Sequence, residues 1–453
     1  SSGNNLGISS SNINSAYLVA ISGGDTNIDK SNLNTKGDVI IAAAGNFTLK
    51  NSNLNASTET GQLAGLIQIN SGGSVDIAGS AINSSNYTTI TAKNDFNLTN
   101  SSLNAQGLIV DSGANLNINK SNLQTTSATE GYLQISAKNN LDLNNSNIDS
   151  NTAYISAGNN INLNDNNIDT NITSIAAGKN INLLGNNINA ADTLQIAAGG
   201  DLNIATRQTT TTSSSSKTSG RSTQTTNSTT TTNSGFNSLS GGNIALSSGG
   251  DTNITAANLN ADNTLQIDAG GNLNIKSATN STTTTNNAAT QYDQVFRINK
   301  RRYGIRTLTN YDTQTNTKTT DIASNLSGAN VILSSGKDLN INKSNIKANG
   351  GTEGYLQISA KNNFNLNNSN IDSNTTTNIN AVGNVDVLAS NIKADGLQIS
   401  SGNNVSIEKS SINSQGDAII SSAKNLTLTN SSLNAQGLIV DSGANLNINK
   451  SNL

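Results

Sequence analysis

Apolar residues recur along this chain in one small figure: apolar, polar, apolar, a few polar residues, then one more apolar residue. Leu116-Asn117-Ile118 followed by Leu123 is one instance. Leu141-Asp142-Leu143 with Ile148, Ile161-Asn162-Leu163 with Ile168, and Ile181-Asn182-Leu183 with Ile188 come next. Phe47-Thr48-Leu49 with Leu54 is an earlier copy, and Phe364-Asn365-Leu366 with Ile371 a later one. About 18 such units occur, spaced mostly by 20 or 21 residues, which is the period range of solenoid repeats. Each has a second apolar pair upstream, such as Leu108 with Val110, Leu133 with Ile135 and Leu194 with Ile196.

Alternation with a period of two predicts strands. Helices are excluded, because runs such as NNSNIDSN hold residues that bond their own backbone. Each unit therefore predicts two or three short strands joined by Asn, Gly, Ser and Asp turns. A period near 20 is too short for a closed sheet and suits one coil of a solenoid. Each strand then pairs with its equivalent in the next coil, and alternate residues point into a narrow bore. The expected fold class is all-β, a parallel β-helix (β-solenoid) of about 20–21 residues per coil. At the usual strand spacing its rod is roughly 85–90 Å long. In the stretch SSLNAQGLIVDSGANLNINKSNL the expected core residues are Leu103, Leu108, Val110, Leu116, Ile118 and Leu123. The Asn before the last apolar residue, at Asn122, Asn147, Asn167, Asn187, Asn345 and Asn370, is a candidate amide ladder. A structural ladder and a ligand-binding face are the two readings of that column.

Two segments break the period. The first runs from about Arg207 to Leu239 and is rich in Thr and Ser; the second runs from about Ser277 to Leu326. Regular coils are expected over 1–206, 241–276 and 328–453, with excursions over 207–240 and 277–327. Thr-rich alternation favours strands, so two lateral β-hairpins are expected, although the first segment reads equally well as a flexible linker.

Composition accounts for the thin bore. Hydrophobic residues make up 33% and charged residues 12% of the 453 residues, and there is no Pro, Cys, Met, Trp or His. Without Pro, every strand N–H is free to bond a neighbouring coil. Without Cys or His there is no thiol chemistry, no Ser-His-Asp arrangement and no preferred ligand for zinc. Asp and Glu are scattered over turns, as at Asp149, Asp169 and Asp372, rather than paired as glycoside hydrolysis requires. No enzyme activity, cofactor or metal site is expected. A net charge of −3 offers no pull toward nucleic acid, and no apolar run approaches a membrane span. The GGD triplets ending at Asp25, Asp201 and Asp251 lack calcium-repeat spacing and read as turn chemistry. Asn-x-Ser/Thr triplets such as Asn83-Ser84-Ser85 are common, as chance alone makes them in so Asn-rich a chain.

Coils carrying GGDLNI, GGDTNI, GGNLNI and GKDLNI resemble the haemagglutinin repeats of filamentous-haemagglutinin-like exoproteins. So do the Thr/Ser-rich stretches after GGDLNIATRQTTTTSSSS and GGNLNIKSATNSTTTTNN. The family holds two-partner-secreted adhesins and filaments of contact-dependent growth inhibition. The resemblance implies a right-handed parallel β-helix in a fibre built from a single chain, exported by an outer-membrane two-partner-secretion transporter. It implies a secreted or cell-surface location, outer-membrane associated and partly periplasmic during export. A host or bacterial surface receptor or glycan is the implied partner. The function implied is a rod that mediates adhesion or presents a distal receptor-binding or toxin domain. The alternative is a toxin-delivery repeat region acting at the target outer membrane.

One cluster stands apart. Arg297, Lys300, Arg301, Arg302, Tyr303 and Arg306 lie close together in the second excursion, where four of the chain's six Arg fall within ten residues. Arg and Tyr are enriched where proteins bind partners, so these are candidate partner-binding residues. The competing reading is a hairpin with aromatic cross-strand pairs and a solvated charged face. The stretch beginning at Ser101 returns letter for letter at Ser431, and GYLQISAKNN occurs at both Gly131 and Gly354. A coil needs only its apolar pattern, so identity marks duplication of whole blocks. The chain is expected to be an internal piece of a longer rod.

Overall fold

The computed structural model describes residues 1–57, 65–127, 129–299 and 302–453. They form two units: Ser1–Ala205, Gly235–Lys276 and Ala323–Leu453 make one, and Thr206–Ser234 with Ser277–Ile322 the other. Apart from a 3-10 turn at Gly351–Glu353, the described residues hold only strands and turns.

The first unit is a parallel β-solenoid of about 21 residues per coil. Each coil gives one four-residue strand to an 18-stranded sheet; Leu116–Asn119, Leu141–Asn144 and Ile161–Asn164 are successive members. They stack in register, Leu116 on Leu141 on Ile161. The other two strands of each coil, such as Asn122–Thr125 and Tyr132–Ala137, belong to a 29-stranded sheet. In some coils the two run on as a single strand, as in Asn147–Ala157 and Asn167–Ala177.

Inward positions make the core. Leu103, Leu108, Val110, Leu116, Ile118 and Leu123 are all fully buried. Phe47, Phe96 and Phe364 are the largest side chains in the bore. Each such residue contributes about 1.5–3 kcal/mol by leaving water. In the second copy of the same stretch, Leu433 is buried while Leu438 and Val440 are only partly so. Leu446 and Ile448 are 46% and 45% exposed. The pattern shapes the strand, and the neighbouring coil buries it.

The turn after the short strand is equally regular. Lys120, Asn145 and Asp165 adopt left-handed φ values of 50°, 49° and 55°, and Gly185 one of 74°. A buried Ser or Asn follows each. Ser121 Oγ donates to Asn119 O at 2.9 Å and accepts the Ser101 N–H at 3.3 Å. Ser121 N–H in turn donates to Ser146 Oγ, and Ser146 N–H to Asn166 Oδ1. A column of small polar side chains thus satisfies backbone groups that the turn would otherwise orphan.

The second unit is a four-stranded antiparallel sheet in the order Arg207–Ser219, Ser222–Ser234, Ala278–Asn299, Arg302–Ile322. The two segments were expected as separate hairpins. Instead the second strand pairs with the third, Ser222 with Thr290 through Thr231 with Ser281. The coils also resume earlier than expected. Leu239 and Leu326 are buried in the solenoid ladder, paired with Ile188 and Leu259. Asn237-Ser238-Leu239 and Ser324-Asn325-Leu326 repeat the figure Ser121-Asn122-Leu123. The solenoid therefore returns at Gly235 and Ala323 rather than at 241 and 328.

Candidate functional site

Three polar columns and one exposed ribbon carry the chemistry that the fold leaves to solvent. In the first column Asn147 Nδ2 donates to Asn122 Oδ1 at 2.8 Å. Asn167 donates to Asn147 at 2.8 Å and Asn187 to Asn167 at 2.7 Å. Asn345 donates to Asn325, which donates to Asn258. Asn370 is in register on Asn345. Parallel in-register stacking brings identical amides within reach of one another, as in cross-β ladders.

Sequence reasoning missed a longer ladder on the 18-stranded sheet. It runs from Asp142 through Asn162, Asn182, Asn203, Asn253 and Asn274 to Asn340 and Asn365, each step joined by an amide donor at 2.7–2.9 Å. The signal was present as the Asn that fills the middle of the figure in coil after coil, as at Asn162, Asn182 and Asn203. Asp386 is the next position in register, where partial burial raises its carboxyl above the usual range.

The GGD acids form the third column. Asp201 N–H donates to Asn180 Oδ1, and Asp201 Oδ1 accepts the Asp251 N–H, both at 2.8 Å. Asp251 Oδ1 accepts the Asn272 N–H at 2.7 Å. The glycines are needed for close stacking: a Cβ on Gly199 would fall 2.3 Å from Gly178 O. Among the described residues no three His, Cys, Asp or Glu side chains gather to hold a metal ion. An open groove of about 740 Å³ runs across successive left-handed turns, lined by Asn53, Asn100, Lys120, Asn145 and Asp165.

The ribbon is the part of the antiparallel sheet beyond Thr290, where the two longest strands continue without a third. Tyr292 lies opposite Leu308, Gln294 opposite Arg306, Val295 opposite Ile305 and Arg297 opposite Tyr303. Arg306 Nε and Nη2 both donate to Gln294 Oε1, at 3.0 and 2.7 Å. Arg297 Nε donates to Asn299 O at 3.2 Å. Arg302 opens the return strand, opposite Asn299. Lys300 and Arg301, expected in the cluster, lie outside the described residues. At the ribbon's base Arg221 pairs with Asp293 at 2.6 Å, and Thr307 Oγ1 donates to the same carboxylate at 2.9 Å. The Arg221 hydrogen bond, then that of Thr307, holds Asp293 below the usual carboxylate range.

A haemagglutinin-repeat model matches residues 1–51, 51–145, 309–368 and 352–453, and a second hemagglutinin-repeat model matches 164–220 and 216–292. The chain belongs to the haemagglutinin-repeat family. It is a filamentous-haemagglutinin-like exoprotein, and its coils form the filament-type rod. Haemagglutinin-repeat proteins are secreted surface filaments. No helix among the described residues is long and apolar enough to cross a membrane. No curated protein and no solved structure matches the chain significantly. Residues 293–308 of this haemagglutinin-repeat chain, the outer part of the ribbon, fall outside both family models.

Proposed function

We propose that this chain is a rod segment of a bacterial cell-surface filament, mediating adhesion or carrying a distal receptor-binding or toxin domain toward other cells. The observation that supports it is one ladder of 18 strands stacked coil on coil. Such a stack is a stiff spacer whose stability is nearest-neighbour, so it can fold progressively as it emerges from an outer-membrane two-partner-secretion transporter. Its role is mechanical and positional, and nothing in it calls for catalysis. Its partners are that transporter and a surface receptor or glycan.

The test is removal of whole coils from the parent filament. Deleting residues 141–180 takes out two coils, leaving Leu116 to stack on Ile181 in the register that Leu141 and Ile161 occupy. Export and surface display should persist, with the filament shorter by about 10 Å. Loss of display after this in-register deletion would contradict the reading. A second reading, a toxin-delivery repeat region acting at the target outer membrane, draws support from the ribbon, since a cationic and apolar strand pair is more than a spacer requires.

A further inference from the structure

We propose that the ribbon formed by residues 291–299 and 302–309 docks on an anionic lipid surface, seated at the boundary between headgroups and acyl chains. It deepens the second reading without resting on it.

The first observation is apolar exposure on both faces. Directly opposite residues of an antiparallel pair share a face, and neighbours along a strand alternate. Tyr292, Phe296 and Leu308 therefore share one face. A Cβ on Gly304 would meet both Phe296 and Ile298, which places Ile298 there too. Val295, Ile305 and Tyr303 share the other face and are 62%, 68% and 68% exposed. Soluble surfaces rarely cluster large apolar groups in this way. A protein partner seated on one face would leave the other in water. An interface that surrounds the ribbon takes both.

The second observation is charge. Residues 292–308 contain five Lys or Arg and a single acid, Asp293, a net of +4 in a chain whose total is −3. That acid is already committed to Arg221. Basic side chains beside aromatic ones suit the headgroup layer of anionic lipids. Shallow seating also suits the backbone, because the outer edges of a two-stranded ribbon keep unpaired groups that need water or headgroups.

The test uses the purified full chain with vesicles of phosphatidylglycerol and phosphatidylcholine, and with phosphatidylcholine alone. The chain should sediment with the first and not with the second. Replacing Arg297→Gln and Arg306→Gln together should weaken binding about 30-fold, roughly fivefold per charge. Phe296→Ser with Ile305→Ser should abolish it. The chain has no Trp, so Tyr303→Trp supplies a clean reporter that needs no destabilising change. Its emission should shift to the blue on anionic vesicles, whereas Tyr17→Trp on the solenoid should not shift. Unshifted Tyr303→Trp emission, equal binding to both vesicle types, release by inorganic phosphate, or self-association through the ribbon would each overturn the proposal. Vesicle binding and filament display are separate readouts, so failure of one leaves the other standing.

Discussion

The solenoid and the antiparallel sheet are written in nearly the same residues and held together by different physics. In the solenoid, alternate positions of almost every coil are fully buried Leu, Ile, Val or Phe. In the sheet, the described residues bury only Asn233 and Ala278. Its strands rest on ladder hydrogen bonds and on cross-strand pairs such as Thr283 with Thr317 and Thr226 with Asn286. Thr and Asn are therefore not the cause of either fold. A few apolar residues per coil decide that a polar chain stacks in parallel around a bore, and where they stop, β-branched residues pair locally and antiparallel.

That contrast can be broken at several points, beginning with the bore. Leu163→Ala should cost about 2–5 kcal/mol, since it opens a cavity in a closed column. Thr229→Ala in the sheet should cost at most about 1 kcal/mol. Paired thermal and denaturant melts followed by circular dichroism compare the two, and equal losses would mean that burial in the bore does not dominate stability.

The buried polar column should rank next. Asn166 Nδ2 donates to Leu143 O at 2.7 Å and to Asn186 Oδ1 at 3.0 Å. Asn166→Ala orphans these groups and should cost about 1–3 kcal/mol. Asn166→Ser should recover much of the loss, because Ser146 fills the same position one coil earlier. A solvent-facing ladder residue should matter less: Asn182→Ala should lose about 0.5–1.5 kcal/mol in the same melts.

Asp386 offers a change of opposite sign. Partial burial raises its carboxyl above the ordinary value, so ionisation there opposes folding. The penalty is present above the folded value and disappears as pH falls through it. Asp386→Asn removes it and extends the amide ladder from Asn365. Asp386 faces solvent on its strand, where water screens the penalty, so stability should rise by only a few tenths of a kcal/mol, on the order of 0.3, at neutral pH, and the gain should shrink in acid. The smallest effect belongs to the sheet. Asp293 is held low, so its contribution exists above the ordinary carboxylate value and is lost as pH falls through the folded one. Asp293→Asn should flatten the acid limb of a probe on the ribbon and leave the solenoid unchanged.

The solenoid was legible because it depends on short-range pattern. Leu116-Asn117-Ile118 and Leu123 announce strand, turn and strand, and each later coil repeats the statement. The Ser121 column was missed because a buried Ser beside a left-handed Lys120 looks like any polar turn until coils are stacked. The joining of Ser222–Thr231 to Ser281–Thr290 was missed for another reason. Two coils lie between these segments in the chain, and no periodicity links them. The excursion ends were misplaced because Thr-rich composition outweighed the figure hidden in Asn237-Ser238-Leu239. For the candidate site, the first amide ladder could be named from spacing, whereas the two-faced exposure of the ribbon needed the register of Val295 against Ile305.

Native-state hydrogen exchange, resolved by peptide, tests the central claim most directly. Protection follows the free energy of local opening. Peptides from the solenoid between Phe96 and Ala205 should stay protected long after those from 207–234 and 278–322 have exchanged. Protection in the antiparallel sheet that equals or outlasts that of the solenoid would contradict a fold carried by its apolar bore.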